Sequence, residues 1–183
     1  MTLILRAAAL FVVILFSSHA SANDSYQAAL AKFKQAGETH SFFASAYGYA
    51  LFPTVGKGGF GIGAAYGEGK VFANGQATGS TSLSQVSIGF QLGGQAYSEI
   101  IFFENRQAYD TFTSGSFEFG AQASAVALNV GVNAQAGTTG TSAQAGSAAS
   151  AQYINGMTVF TLAKGGLMYE AALAGQAFSF TPY

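Results

Sequence analysis

From Tyr47 onward, large apolar residues tend to recur at every second position. Phe60, Ile62, Ala64 and Tyr66 alternate with small residues, and Val86, Ile88, Phe90 and Leu92 do the same. A period of two predicts β-strands. Tyr49 to Phe52 is predicted as a strand stopped by Pro53. Gly67-Glu-Gly69 is then expected to turn the chain, and Lys70 to Ala73 to return it. Asn74-Gly75 predicts a two-residue hairpin turn, because both positions tolerate positive φ. Thr78 to Ser84 has the composition of a polar connection. Gly93-Gly94 permits a bend, and Tyr97 to Phe103 is an apolar strand.

The pattern has helical spacing in three places. After the start signal Asn23-Asp-Ser25, the residues Tyr26, Ala29, Leu30 and Phe33 fall on one face, with Lys32 and Lys34 flanking it and Gly37 as the stop. That face either packs on the protein's own sheet or lies in a membrane interface with its lysines snorkelling. Thr39 to Ala46 predicts a second short helix, capped by Thr39, with Phe42, Phe43 and Ala46 turned inward. Phe103, Gln107, Ala108 and Phe112 suit a third, ended at Gly115. Phe117 to Val132 returns to strand. Gly137 to Ser150 contains only small and polar residues and predicts a flexible loop. Tyr153 to Ala163, a turn at Lys164-Gly-Gly166, and Leu167 to Phe180 suggest a last hairpin. The expected fold class is α+β: a curved, mainly antiparallel β-sheet or barrel-like core with N-terminal helices and one short internal helix, in a single domain over 23–183.

The segment before that domain has the form of an export signal. Arg6 precedes an apolar run from Ala7 to Phe16, and Ala20-Ser-Ala22 supplies a cleavage site. The run is shorter than the roughly 20 residues that span a bilayer. Cleavage after Ala22 would release a periplasmic or secreted protein. The sequence has no cysteine, so neither a disulfide nor a lipidated cysteine is available.

Charge is sparse, at 8% of residues, with seven Lys and Arg against eight Asp and Glu. A nucleic-acid partner would need a clustered basic face, and none is present. Beyond Arg6, the cations that could meet lipid phosphate are Lys32, Lys34, Lys57, Lys70, Arg106 and Lys164. Lys57 and Lys164 are expected in glycine turns, where backbone N–H groups could share an anion. Phe33, between Lys32 and Lys34, is the apolar member of the most membrane-like arrangement.

Catalytic and cofactor motifs are not assembled. Gly61-Ile-Gly63 lacks the third glycine of a dinucleotide fingerprint, and Gly69-Lys70 is followed by Val71 where a phosphate loop needs Ser or Thr. His40 has no carboxylate or cysteine cluster around it in the sequence and is predicted to be a solvated helix residue. The acidic residues, Glu68, Glu99 and Glu104 among them, are spaced singly and expected at turns and edges. No catalytic residue, metal ligand or cofactor follows from this pattern.

Several segments together resemble the SYLF domain family. They are Tyr49-Ala-Leu-Phe-Pro53; Gly58-Gly-Phe-Gly-Ile-Gly63 with Tyr66-Gly-Glu-Gly-Lys70; Val86 to Gly94; Glu99 to Phe103 with Gln107 to Phe112; Phe117-Glu-Phe-Gly120; and Lys164-Gly-Gly-Leu167. The resemblance runs from about Gln27 to the C-terminus. It implies a non-enzymatic protein that binds lipid or a membrane surface, with eukaryotic relatives that bind phosphoinositides and actin. The expected function is therefore an exported lipid-binding or envelope-associated protein. An integral outer-membrane β-barrel and a protein-interaction module are the alternatives.

Overall fold

The structure, a computed structural model, describes residues 23–60, 62–88, 94–120, 127–129, 152–164 and 175–183. Residues 23–35 are helical (α1). A 3-10 turn (Gly37–Thr39) leads into α2 (His40–Ser45). Then come β1 (Gly48–Phe60), β2 (Ile62–Ala73), β3 (Gln76–Ile88), β4 (Gln95–Phe103), α3 (Arg106–Phe112), β5 (Ser116–Glu118), β6 (Ala127–Asn129), β7 (Met157–Lys164) and β8 (Gln176–Pro182). The strands form one sheet in the order β5-β8-β3-β2-β1-β4-β7-β6. Every pairing is antiparallel except β6 with β7. Among the described residues no pairing joins β5 to β6, so the sheet is open. The α+β class, the curved antiparallel sheet and the short internal helix are as expected.

Pro53 does not stop β1. It has no N–H to give a ladder, and the strand accommodates it with a bulge. The register slips between Leu51 and Thr54 against β2, and between Phe52 and Val55 against β4. Ser98 Oγ donates to the Pro53 carbonyl at 2.8 Å, holding the bulge to β4.

Gly67 and Gly69 lie inside β2 and do not form a turn. Their requirement is steric. A Cβ on Gly69 would stand 2.7 Å from the Phe52 ring and 2.8 Å from the Leu51 carbonyl oxygen. One on Gly67 would stand 2.8 Å from Val55 Cγ2. Phe52 and Val55 thus fill the space that side chains on β2 would occupy. The polar segment Thr78 to Ser84 is likewise strand. Thr81, Leu83 and Gln85 point inward and are buried, while Ser80, Ser82 and Ser84 alternate outward. Thr81 Oγ1 donates to the Ser179 carbonyl at 2.7 Å, so a hydroxyl strand is tied to its neighbour from the buried side. The Asn74-Gly75 turn forms as expected, with φ of 51° and 79°.

β7 and β8 are not a hairpin. Four strands separate them, with β7 paired to β4 and β8 to β3. Residues 165–174 and the predicted loop 137–150 lie outside the described residues.

The sheet buries both faces over part of its width. On the inner face, Phe52 of β1 and Phe178 of β8 approach to 5.7 Å between ring centroids, although β2 and β3 lie between their strands. The sheet therefore curls. Phe112 of α3 closes the curl, 5.1 Å from Phe178 and 5.0 Å from Phe103. Asn105 starts that helix by accepting from the Ala108 N–H at 3.0 Å. On the outer face, α1 and α2 lay Ala29, Phe33 and Phe42 over Leu51, Ile100, Phe102 and Phe160. Thr39 does not cap α2 with its side chain. Its hydroxyl turns back to the carbonyls of Phe33 and of Ala36, the latter at 2.9 Å, and closes the end of α1.

Phe33 is fully buried in this second core. Phe33→Ala should cost about 3–5 kcal/mol, read as a lowered midpoint in chemical denaturation. Lys32→Glu with Lys34→Glu should leave the midpoint nearly unchanged, because both side chains are exposed. A wild-type midpoint for Phe33→Ala would show that α1 does not pack on the sheet.

Candidate functional site

Among the described residues, α1 and α2 cover the outer face over β1, β4 and β7 and leave much of it over β2, β3 and β8 open. Two features result. At the far end of the β2–β3 pair, Ile62 and Val86 are diagonal neighbours on one face, since Ala64 pairs with Val86 and Ile62 with Ile88. They are 67% and 73% exposed. Beside them, between the start of α1 and the strands β2, β3 and β8, lies a groove of about 630 Å³. Tyr26, Tyr66 and Tyr183 stand around it, and serine and threonine hydroxyls of β3 and β8 form its floor. The Tyr26 hydroxyl is pushed up to about 12, first by burial and then by Tyr183 and Glu68 nearby.

The cations predicted from the sequence do not gather into one patch. Lys70 lies in the groove with its ammonium 4.7 Å from the centre of the Tyr26 ring. Lys34 reaches over Phe43 at 5.8 Å. Lys164 Nζ donates to Thr54 Oγ1 at 2.6 Å. Its pKa is held below the ordinary lysine value by partial burial and by the neighbouring charge of Lys32, so these two do come together. Arg106 pairs with Asp110 of its own helix at 3.5 Å, with both side chains mostly exposed. Lys57 sits within the extended strand β1, opposite Ala65 and Gln95, and is not in a glycine turn. Lys164 ends β7. Phe33 faces the core and presents nothing to a membrane. His40 is exposed, and its Nε2 lies 2.8 Å from the Lys34 carbonyl oxygen.

Glu99 is not a surface carboxylate. It is fully buried at the centre of the inner face, beside Phe52 on β1 and Thr161 on β7. Gln176 Nε2 donates to Glu99 Oε2 at 3.2 Å and to the Tyr97 hydroxyl at 3.4 Å. That bridge crosses the curl from β8 to β4. Glu99 Oε1, Gln176 Oε1 and Thr161 Oγ1 have no partner among the described residues. Burial pushes the Glu99 carboxyl up to about 8, against a smaller lowering by Gln176. The sequence carried a signal for this. Glu99 directly precedes Ile100 to Phe103, which are apolar at successive positions, as befits a strand buried on both faces.

A family model described as Las17-binding protein actin regulator, Ysc84, matches residues 84–181. The match covers more than half of the 183 residues, and the chain belongs to this family, the SYLF family of the sequence resemblance. It is a family of lipid- or actin-related binding modules. The match begins within β3. Strands β1 and β2 precede it, yet they are hydrogen-bonded between β3 and β4, so the sheet runs continuously across that boundary. A comparison with curated proteins finds no match. Among the described residues no helix is long and apolar enough to cross a membrane.

The buried Glu99 makes stability depend on pH. The native state holds a proton that the unfolded chain loses near the ordinary value of 4.5. The stabilisation is complete below 4.5 and is lost as pH rises through about 8. The slope in between should reach about 1.4 kcal/mol per pH unit. Urea denaturation at several pH values should show it, and Glu99→Gln should flatten it. An equal slope in Glu99→Gln would assign the dependence to another group.

Proposed function

We propose that this protein is an exported, non-enzymatic module that binds phospholipid at a surface of the cell envelope. The observation that carries this reading is the exposed pair Ile62 and Val86 at the far end of the β2–β3 pair. Large β-branched side chains are normally buried, and two exposed together on neighbouring strands offer a surface to an apolar phase. Family membership supports a lipid- or actin-related role. The signal-like segment before Asn23 supports export. The chain's charge is nearly balanced and its cations are dispersed, so attraction to anionic headgroups is weak. Apolar burial dominates, at about 1.5–3 kcal/mol for each side chain inserted.

Flotation with vesicles of phosphatidylethanolamine and phosphatidylglycerol tests this. The protein should float, and raised salt should weaken binding only slightly. Ile62→Ser with Val86→Ser should lower the partition at least about tenfold without lowering the melting temperature, because neither side chain is in the core. If that variant floats as well as the wild type, the β2–β3 face is not the lipid contact. If the wild type fails to float, the lipid reading itself is wrong.

A further inference from the structure

We propose that the groove between α1 and strands β2, β3 and β8 is a binding site for a neutral oligosaccharide. This goes beyond the lipid reading and uses a different part of the outer face. The argument rests on what lines the groove. Its floor is made of hydroxyls, and Ser82 Oγ and Ser179 Oγ lie 2.7 Å apart across the β3–β8 pair. A serine hydroxyl donates one hydrogen bond and accepts others, as a sugar hydroxyl does. A ligand rich in hydroxyls can therefore replace the water on this floor group for group.

The rim is aromatic. Tyr66 and Tyr183 are 56% and 73% exposed, and Tyr26 stands on the α1 side. A tyrosine offers an apolar ring face and a polar tip. A pyranose ring offers C–H groups on its faces and hydroxyls at its edge, so the two chemistries match. The charge balance points the same way. Glu68 and Lys70 are the charged side chains lining the groove, one of each sign. Lys70 is engaged over the Tyr26 ring, and Glu68 accepts from the Tyr66 hydroxyl at 3.3 Å. These two side chains leave the groove no net side-chain charge with which to hold an anion. Its volume, about 630 Å³, suits a short oligosaccharide better than a single ring.

The test is a titration followed by the backbone amide signals of Ser80, Ser82 and Ser179. The probes are chitotriose and maltotriose as neutral sugars and inorganic phosphate as the anion. At least one of the sugars should shift these amides saturably in the millimolar range, and phosphate should not. Tyr66→Ala should weaken that sugar about threefold to tenfold while the amide spectrum elsewhere stays that of the folded protein. The proposal is overturned if neither sugar shifts these amides saturably, or if Tyr66→Ala binds as the wild type does. It is also overturned if phosphate shifts the same amides as strongly as a sugar, which would make the groove an anion site.

Discussion

The fold depends on one steric exchange: the Phe52 ring occupies the space that a side chain at position 69 would need. β1 bulges at Pro53, so that Phe52 and Pro53 lie opposite Gly69 between the paired positions Leu51–Lys70 and Thr54–Glu68. The ring then lies over the neighbouring strand instead of standing beside another side chain. With little on the inner face of β2 to hold the walls apart, β8 curls toward β1 until Phe178 meets Phe52. The Gln176–Glu99 bridge, the closure by Phe112 and the buried position of the acid all follow from that curl.

The curl also divides the outer face. Helices α1 and α2 cover the half that carries Leu51, Ile100, Phe102 and Phe160. Among the described residues, the half that carries Tyr66, Ser82 and Val86 has an open surface, with hydroxyls in the groove and apolar side chains at the end of the β2–β3 pair. A single sheet face therefore presents two chemistries a short distance apart.

Local rules were legible in the sequence. Asn74-Gly75 forms its turn because both residues accept positive φ, α3 starts at Asn105 and stops before Gly115, and the α1 stripe is apolar at the spacing it needs to pack. What could not be read locally depended on partners distant in sequence. Pro53 looks like a strand end until a bulge absorbs its missing N–H. Gly67 and Gly69 look like a turn until Val55 and Phe52 are placed over them. The hydroxyls of β3 look like a loop until β8, about a hundred residues later, pairs with them. The lysines were legible as charges but not as a patch, because they sit on elements that the topology sends apart. The groove was not legible at all, since its walls come from α1, β2, β3 and β8.

A double-mutant cycle between positions 52 and 69 tests the steric exchange most directly. Gly69→Ala should destabilise the wild type by about 1–3 kcal/mol. In a Phe52→Leu background, where the smaller side chain can yield, the same substitution should cost at least about 0.5 kcal/mol less. Gly56→Ala is the control, since a Cβ there meets nothing within 4 Å, and it should be independent of residue 52. Strictly additive effects of Gly69→Ala and Phe52→Leu would contradict the account.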